Sequence, residues 1–201
     1  MRPESSAWLP EPGTSDQVHL SIVIPIYNER VVLPMLHERL TRVLAPLAIT
    51  YELVLVDDGS RDGSGDYMVE LAARCPEVRA ARLSRNFGKE AALTAGLDLS
   101  VGDAVVVLDA DLQDPPELIE QMLAAFHAGS DIVSMKRRSR SGESWHKRLS
   151  AHLFYRLLNR LSHVDIPADT GDFRLMSRRA VNALKQLPER NRYMKGLFAW
   201  V

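Results

Sequence analysis

Short runs of apolar residues alternate along the chain with longer segments in which apolar residues recur at helical spacing. The short runs lie at residues 20–26, 51–56, 78–83, 104–108 and 132–135. They predict strands within a parallel sheet, because such strands are apolar on both faces. The longer segments predict helices at 31–47, 90–99, 115–128 and 178–187, with another ending near residue 75. Residues 169–175 are interpreted as a polar turn that leads into a short apolar segment. The alternation predicts an α/β fold with a mainly parallel central sheet flanked by helices.

Polar clusters follow the predicted strands at the points where the strands end. They occupy residues 27–29, 57–58, 85–89 and 109–113. Because the carboxyl ends of parallel strands meet at one edge of a sheet, where open α/β folds bind ligands, we expect these clusters to lie close together. Ordinary turn chemistry is the alternative for each cluster, and for 57–58 in particular, since Asp and Gly populate turns for conformational reasons. The occurrence of four clusters favours a binding site.

The stretch DAVVVLDADLQDPPE, residues 103–117, carries the strongest chemical signal. Asp109 and Asp111 flank the small Ala110, and in extended backbone both carboxylates can point the same way, with Gln113 following them. Carboxylates suit Mg²⁺ or Mn²⁺, which prefer few protein oxygens together with phosphate and water. A lone D-x-D is weak evidence for a metal site, but the strand before it and the helix after it strengthen the prediction.

The residues after the D-x-D predict the start of a helix. Asp114 precedes Pro115, Pro116 and Glu117. We therefore expect Asp114 to be the helix N-cap, with Glu117 at the third helical position, as in a variant of the capping box.

Composition limits the class of protein. The 201 residues are 46% hydrophobic and 25% charged, which is ordinary for one soluble globular domain. The formal net charge of -1 argues against a surface built for nucleic acid. A single cysteine, Cys75, excludes an internal disulfide and a cysteine-based metal cluster, and we expect it to be a small buried hydrophobe. Residues 1–17 lack the apolar core of a signal peptide and are expected to form a flexible tail. No apolar run reaches the roughly 18 residues of a membrane span.

Positive charge is concentrated between residues 136 and 160, which contain eight Lys and Arg residues but, as an acidic residue, Glu143 alone. Apolar residues recur there at helical spacing, which predicts a basic amphipathic helix over 145–162. Such a helix can lie on an anionic membrane surface. A core helix with a solvated basic face is the alternative.

Taken together, five motifs resemble family-2 glycosyltransferases of the GT-A fold, the Rossmann-like fold of nucleotide-diphospho-sugar transferases. In chain order they are SIVIPIYNE, VDDGS, SRNFGKEAAL, LDADLQDPPE and GDFRLMSR. The set is similar in particular to the polyprenyl-phosphate branch, which includes dolichyl-phosphate mannose synthases and bacterial enzymes that load glucose or aminoarabinose onto undecaprenyl phosphate. Relatives in this branch usually continue into amphipathic or transmembrane helices. We expect residues 18–201 to form the catalytic domain, without the C-terminal membrane region of those relatives.

The resemblance implies roles for the residues that match its motifs. The expected contacts to the donor nucleotide are Pro25, Tyr27, Glu29, Asp57, Asp58, Arg85, Lys89, Asp109, Ala110 and Gln113. The expected ligands of Mg²⁺ or Mn²⁺, bridging the donor diphosphate, are Asp109, Asp111 and Gln113. The expected catalytic residues are Asp111, Arg137, Asp172 and Arg174. The two arginines are candidates for the donor or acceptor phosphates, whereas Asp172 either orients the acceptor or is a turn residue.

The implied activity is metal-dependent, inverting transfer of a sugar from a UDP- or GDP-sugar to polyprenyl phosphate. The expected location is the cytoplasmic face of the membrane, with peripheral attachment through the basic helix, and homo-oligomerisation is left open. A lipid monophosphate is already an oxyanion at neutral pH, so no strong general base is required. Transfer to a saccharide hydroxyl is one alternative, and it would need a carboxylate base. A membrane-associated, non-catalytic module that binds only the donor is another.

Two other acidic-edged α/β families fit less well. A phosphoacceptor receiver domain needs an acidic pair after the first strand, where this chain has Tyr27, Asn28 and Glu29. A sugar-phosphate nucleotidyltransferase needs a Gly-rich, Arg-containing loop at the same place, and the sequence lacks one.

Overall fold

The computed structural model describes residues 19–136 and 170–186. The strands of this part are β1 (His19–Ile26), β2 (Thr50–Asp57), β3 (Val78–Arg82), β4 (Ala104–Val107), β5 (Ile132–Lys136) and β6 (Thr170–Ser177). Its α-helices are α1 (Leu33–Leu44), α2 (Ser64–Arg74), α3 (Lys89–Leu99), α4 (Ile119–His127) and α5 (Arg178–Lys185), with short 3₁₀ helices at Ala45–Leu47 and Pro116–Leu118. The first five strands and all five helices lie close to their predicted positions. Residues 1–17, Arg137 and the predicted basic helix 145–162 lie outside the described residues.

The six strands form one sheet in the order β3-β2-β1-β4-β6-β5. β1 pairs in parallel with β2 and β4, and β2 pairs in parallel with β3. β6 runs antiparallel to both β4 and β5. The sheet is therefore mainly parallel, as predicted, with one strand reversed.

β6 is the main departure from the prediction, which placed a turn at residues 169–175. The strand begins with polar residues and carries Asp172 and Arg174 within its length, so it lacks the apolar run used to find the other strands. Its reversed direction has a consequence for function. The first residues of β6, rather than its last, lie beside the end of β4, because Arg174 is opposite Val107.

Helices cover both faces of the sheet. Along β1, Leu20, Ile22 and Ile24 pack toward the side of α1, α2 and α4, whereas Val23 packs toward α3 and α5. This alternation is that expected for a strand buried on both faces. Burial of apolar side chains in two layers thus holds the carboxyl edge of the parallel strands in a fixed frame.

The chain after the D-x-D differs from the predicted helix cap. The 3₁₀ helix Pro116–Leu118 has Pro115 as its N-cap residue, and its cap makes no side-chain hydrogen bond. The structure thus places Pro115, one residue after the expected Asp114, in the N-cap position. Glu117 instead accepts hydrogen bonds from Arg39 of α1, at 2.9 and 2.8 Å, and this bidentate pair ties the segment to α1.

Among the described residues, no helix has both the length and the apolar character needed to cross a membrane.

Candidate functional site

A cavity of about 290 Å³ opens at the carboxyl edge of the parallel strands. Its lining comes from the ends of β1, β2 and β4 and from the start of α3: Pro25, Ile26, Tyr27, Glu29, Asp58, Asn86, Gly88, Lys89, Asp109, Ala110 and Asp111. We call it the edge cavity. Eight of the residues predicted from the sequence line it, and each of the four polar clusters contributes at least one of them.

The loop after β1 is braced by the loop after β2. Asn28 has a positive φ of 56°, an uncommon conformation for a residue other than glycine. Its backbone N–H donates to Ser60 Oγ at 2.9 Å, and its side-chain oxygen accepts from the Arg61 N–H at 2.9 Å. The Glu29 N–H donates to Ser64 Oγ at 3.0 Å. These bonds hold the Glu29 end of the cavity against the end of β2.

Asp57 and Asp58 are adjacent but have different environments. The carboxylate of Asp57 is fully buried, accepts from the Ser60 N–H at 2.8 Å and lies 3.0 Å from Arg82 Nε. It supports the turn and is not part of the cavity lining. The carboxylate of Asp58 lines the cavity and accepts from the backbone N–H groups of Phe87 and Gly88, at 2.7 and 2.9 Å.

Lys89 joins two acidic residues that are distant in sequence. Its Nζ lies 2.6 Å from one carboxylate oxygen of Asp109 and 2.7 Å from the other, and it is 2.6 Å from Asp172 Oδ2. Asp172 reaches this point because β6 runs antiparallel to β4. Burial lowers the pKa of Lys89, but the hydrogen bonds and charges of Asp109 and Asp172 together outweigh it, so the pKa lies above its ordinary value.

The edge cavity has a high density of negative charge. Burial raises the pKa of Asp109, and the carboxylates of Asp172 and Asp111 raise it further, while Lys89 lowers it. Burial also raises the pKa of Glu29, and Asp111 is the next largest cause. Carboxylates held close together in a partly desolvated site favour protonation or the binding of a cation.

The second Asp of the D-x-D is held by its own loop. Leu112 has a positive φ of 60°, and the Gln113 N–H donates to Asp111 Oδ1 at 3.0 Å. Asp111 is exposed and lines the cavity, whereas the side chain of Gln113 is exposed outside the lining. The structure thus brings Asp109 and Asp111 together, and Gln113 contributes a backbone bond that orients Asp111.

The predicted arginines have separate positions. Arg174 is 3% exposed, and burial lowers its pKa to about 10. Its Nε lies 3.4 Å from the Asp172 carbonyl oxygen. Arg85 lies outside the cavity lining, with its guanidinium 4.8 Å from the centre of the Phe87 ring.

The acidic residues of the edge fit a hard divalent cation. Asp109 and Asp111 present carboxylate oxygens to one cavity, and burial, with a smaller contribution from the charge of Asp111, raises the pKa of Asp109. The ammonium group of Lys89 already occupies a cation position beside Asp109. Two carboxylates completed by phosphate and water are a coordination set that Mg²⁺ and Mn²⁺ accept.

Three lining residues were not singled out from the sequence: Ile26 at the end of β1, Asn86 and Gly88. Asn86 and Gly88 belong to the polar loop that precedes α3, of which only Arg85 and Lys89 were chosen as site residues. In the structure Gly88 has a φ of 97°, a conformation that favours glycine. Its N–H is one of the two donors to Asp58.

Comparison with known proteins gives the family. Residues 21–185 match the family described as Glycosyl transferase family 2. The chain belongs to glycosyl transferase family 2. The predicted resemblance to family-2 glycosyltransferases is thereby confirmed.

Two members of this family are close in sequence. A protein of Synechocystis sp. named as an uncharacterized glycosyltransferase is 53% identical over 184 residues, which are 92% of this chain and 58% of the relative. A bactoprenol glucosyl transferase of Shigella phage SfX is 42% identical over 182 residues, which are 90% of this chain and 60% of the relative. The chain therefore spans less than two thirds of the length of these curated relatives.

The fold also agrees with that of a solved mannosyltransferase. A mannosyltransferase from Pyrobaculum calidifontis, in complex with GDP-Man and Mn²⁺, has a TM-score of 0.60 and 22% identity, and the match covers 86% of this chain and 48% of that one. This similarity confirms the predicted GT-A fold of the glycosyltransferase.

Proposed function

We propose that this chain is the donor-binding and catalytic part of a metal-dependent, inverting glycosyltransferase. Its donor would be a UDP- or GDP-sugar and its acceptor a polyprenyl phosphate. The observation that carries the proposal is the meeting of Asp58, Lys89, Asp109 and Asp111 around one cavity at the carboxyl edge of the sheet. The bactoprenol glucosyl transferase name of a 42% identical relative supports the lipid acceptor. The GDP-Man and Mn²⁺ of the Pyrobaculum neighbour support the donor class and the ion.

The lining suggests how the donor is placed. Pro25, Tyr27 and Asp58 form the part of the cavity proposed to receive the nucleoside. Asp109 and Asp111 are the proposed ligands of Mg²⁺ or Mn²⁺. The bound ion would supply positive charge beside the donor diphosphate.

Transfer would break the bond between the anomeric carbon of the sugar and a donor phosphate oxygen. The electron pair of that bond leaves with the nucleoside diphosphate, while an acceptor phosphate oxygen bonds to the opposite side of the carbon, so the configuration inverts. Positive groups near the departing diphosphate lower the barrier because they stabilise the developing charge. Lys89 is such a group within the described residues, and Arg174 is a second candidate close to Asp172.

A phosphate acceptor removes the need for a strong base. The acceptor is already an oxyanion at neutral pH, so no proton has to leave it during transfer. Asp172 is ion-paired with Lys89, at 2.6 Å, which favours a role in positioning rather than in proton removal.

We further propose that the basic segment between residues 136 and 160 brings the chain to an anionic membrane surface at the cytoplasmic face. Its excess of Lys and Arg over acidic residues supports this proposal, since each cation near such a surface contributes roughly 1 kcal/mol.

Transfer of labelled sugar from UDP-glucose or GDP-mannose to undecaprenyl phosphate in detergent micelles, with Mn²⁺, tests the proposal. Asp111→Asn should abolish the lipid product, because the ion loses a carboxylate ligand. Asp66→Asn is the matched control, since its carboxylate is 80% exposed on α2 and away from the cavity lining. Equal activity of Asp111→Asn and the unchanged chain would refute the metal-dependent site.

Asp172→Asn separates acceptor classes in the same assay. For a phosphate acceptor we expect weakened transfer, whereas a saccharide hydroxyl acceptor needs a base and its transfer would be abolished. The lipid product should have the anomeric configuration opposite to that of the donor sugar when examined by NMR. Donor binding without turnover on any lipid phosphate would instead favour the non-catalytic module.

A further inference from the structure

A second group of metal-ligating side chains lies on the α1 and α2 side of the sheet. His37 is in the second turn of α1, Cys75 is the C-cap residue of α2, and Glu77 is in the turn that leads to β3. One ligand atom from each of these residues lies within 4.8 Å of the other two. We call this group the His37 cluster. None of its members lines the edge cavity.

The turn that carries two of the three ligands is rigid. Pro76 separates Cys75 from Glu77 and fixes its own φ near −65°. The Val78 N–H donates to the Cys75 carbonyl at 2.9 Å, and the Leu53 N–H donates to the Glu77 carbonyl at 2.8 Å. The first bond closes the turn and the second joins it to β2, so the backbone at Cys75 and Glu77 has a fixed position.

The third member of the cluster has an unused nitrogen. His37 Nε2 is buried and has no hydrogen-bond partner among the described residues. A buried polar atom without a partner is unfavourable, so such an atom in a native structure calls for an explanation. All three members of the cluster are half-buried.

We propose that His37, Cys75 and Glu77 bind one Zn²⁺ ion, with a fourth position open to water. Imidazole nitrogen, thiolate sulfur and carboxylate oxygen are the ligands of zinc in proteins, and three protein ligands plus water complete its tetrahedron. A thiolate and a carboxylate together neutralise the charge of the ion, and the thiol proton is released to solvent when zinc binds.

The geometry requires only a small closure. Ligand atoms at the usual zinc distances of about 2.0 to 2.3 Å and tetrahedral angles lie roughly 3.3 to 3.7 Å apart. The ligand atoms of the cluster already lie within 4.8 Å of one another. Side-chain rotations that move these atoms by about 1 Å would therefore bring them to the distances of a zinc site. The bound ion would join α1 to the connection between α2 and β3. This site would be separate from that of the catalytic cation, because it offers sulfur and nitrogen in place of carboxylates alone.

Substitution of zinc by Co²⁺ gives a direct test, because thiolate bound to Co²⁺ produces an intense near-ultraviolet charge-transfer band. The purified chain, reduced with a phosphine that does not bind metals, is titrated with Co²⁺. We expect a charge-transfer band that saturates at one Co²⁺ per chain and disappears when Zn²⁺ is added. Cys75 is the only cysteine in the sequence, so the band can come from no other residue.

Matched variants locate the other ligands and the separate site. Cys75→Ser should abolish the band and His37→Ala should weaken Co²⁺ binding at least tenfold, whereas His127→Ala, at an exposed histidine of α4, should leave both unchanged. Asp111→Asn should also retain the band, since it affects only the edge cavity. Thermal melting of each apo variant confirms that it is folded before titration. Absence of the band from the folded, unchanged chain, or its persistence in His37→Ala with unaltered affinity, would overturn the proposal.

Discussion

Asp58 shows how one side chain can shape the edge cavity. Its carboxylate is 3% exposed and accepts from the backbone N–H groups of Phe87 and Gly88, so the end of β2 is joined to the loop before α3. Hydrogen bonds to a charged acceptor are stronger than those between neutral groups. The loop therefore has a defined position relative to the D-x-D even without a ligand.

Gly59 fixes the same loop by close approach. It has a φ of 73°, and a Cβ at this position would lie 2.6 Å from the carbonyl carbon of Arg85 and 2.6 Å from the backbone nitrogen of Asn86. Backbone atoms cannot move aside as a flexible side chain can. We expect Gly59→Ala to displace the loop and to weaken nucleotide binding at least tenfold, as measured by isothermal titration calorimetry in the presence of Mn²⁺.

Gly63→Ala is the matched control for Gly59→Ala. Gly63 has a similar φ of 87°, but a Cβ there would have no neighbour within 4 Å. The substitution introduces only the conformational cost of about 1–2 kcal/mol and should leave nucleotide affinity unchanged. Equal losses of affinity in the two variants would show that backbone strain, rather than the loop contact, is responsible.

The site residues that the sequence predicted best are those at the ends of parallel strands. Glu29, Asp58 and Asp109 were expected at one edge and all line one cavity there. The contact between Lys89 and Asp172 could not be predicted, because it depends on which strand lies beside β4 and in which direction it runs. The local sequence shows neither which strand is the neighbour of β4 nor the direction of that strand.

At the scale of elements, a buried glutamate connects three strands at the end of the sheet away from the cavity. Glu52 of β2 is 5% exposed and accepts from Ser21 Oγ of β1 at 2.5 Å, from Arg79 of β3 at 2.9 Å and from the Val101 N–H at 2.8 Å. Burial raises the pKa of Glu52, but the hydrogen bonds from these three residues outweigh it, and the pKa lies below its ordinary value. The folded state therefore favours the charged carboxylate.

This arrangement predicts a pH-dependent effect of Glu52→Gln. A carboxyl group whose pKa is depressed by folding stabilises the protein above its unfolded pKa of about 4.3, and the contribution is lost as the pH falls through the folded pKa. We expect Glu52→Gln to lower the free energy of unfolding by about 1–3 kcal/mol at pH 7. The difference in the free energy of unfolding between the variant and the unchanged chain should become smaller below about pH 4.5. Urea denaturation across pH 3–8 measures this difference in the free energy of unfolding.

Glu38→Gln is the control for that measurement, because Glu38 forms an exposed ion pair with Arg42 within α1. Loss of this ion pair should lower the free energy of unfolding by about 0.3–0.5 kcal/mol. A destabilisation by Glu52→Gln that stays constant down to pH 3 would contradict the assigned role of the carboxylate.

The packing of α3 on the sheet depends on another glycine. A Cβ at Gly96 would overlap Cγ1 of Val23 in β1. We expect Gly96→Ala to reduce the free energy of unfolding by about 1–3 kcal/mol, since overpacking outweighs the better helix propensity of alanine. In the double variant with Val23→Ala the combined loss should be about 1 kcal/mol smaller than the sum of the single losses. Strict additivity in urea denaturation would show that the two positions do not compete for space.

The elements themselves were predictable to different degrees. Strands such as β1 and β4 are continuous apolar runs, and their position follows from hydrophobicity alone. β6 reads TGDFRLMS, in which polar residues occupy the first half, so pattern analysis finds a turn where pairing with β4 and β5 makes a strand. The N-cap position after the D-x-D falls on Pro115 rather than Asp114, and Glu117 pairs with Arg39 of α1, a contact between distant elements that the local pattern does not show.

At the scale of the whole molecule, the described residues form a mixed six-stranded sheet whose carboxyl edge carries the acidic cavity. The chain covers 58–60% of the length of the two relatives described above. The proposed binding of the lipid acceptor and of the membrane surface involves residues other than those that line the cavity. The donor site, in contrast, can be tested on this chain alone.

Thermal unfolding of the purified chain with UDP and with GDP, each in Mn²⁺ and in EDTA, tests the central claim most directly. A ligand at about 100 times its dissociation constant should add roughly 2.7 kcal/mol of stability. We expect one nucleotide to raise the melting temperature only when Mn²⁺ is present, and Asp111→Asn to lose that rise while Asp66→Asn retains it. A chain whose melting temperature responds to neither nucleotide, or whose Asp111→Asn variant responds as the unchanged chain does, would contradict a metal-dependent donor site at this edge.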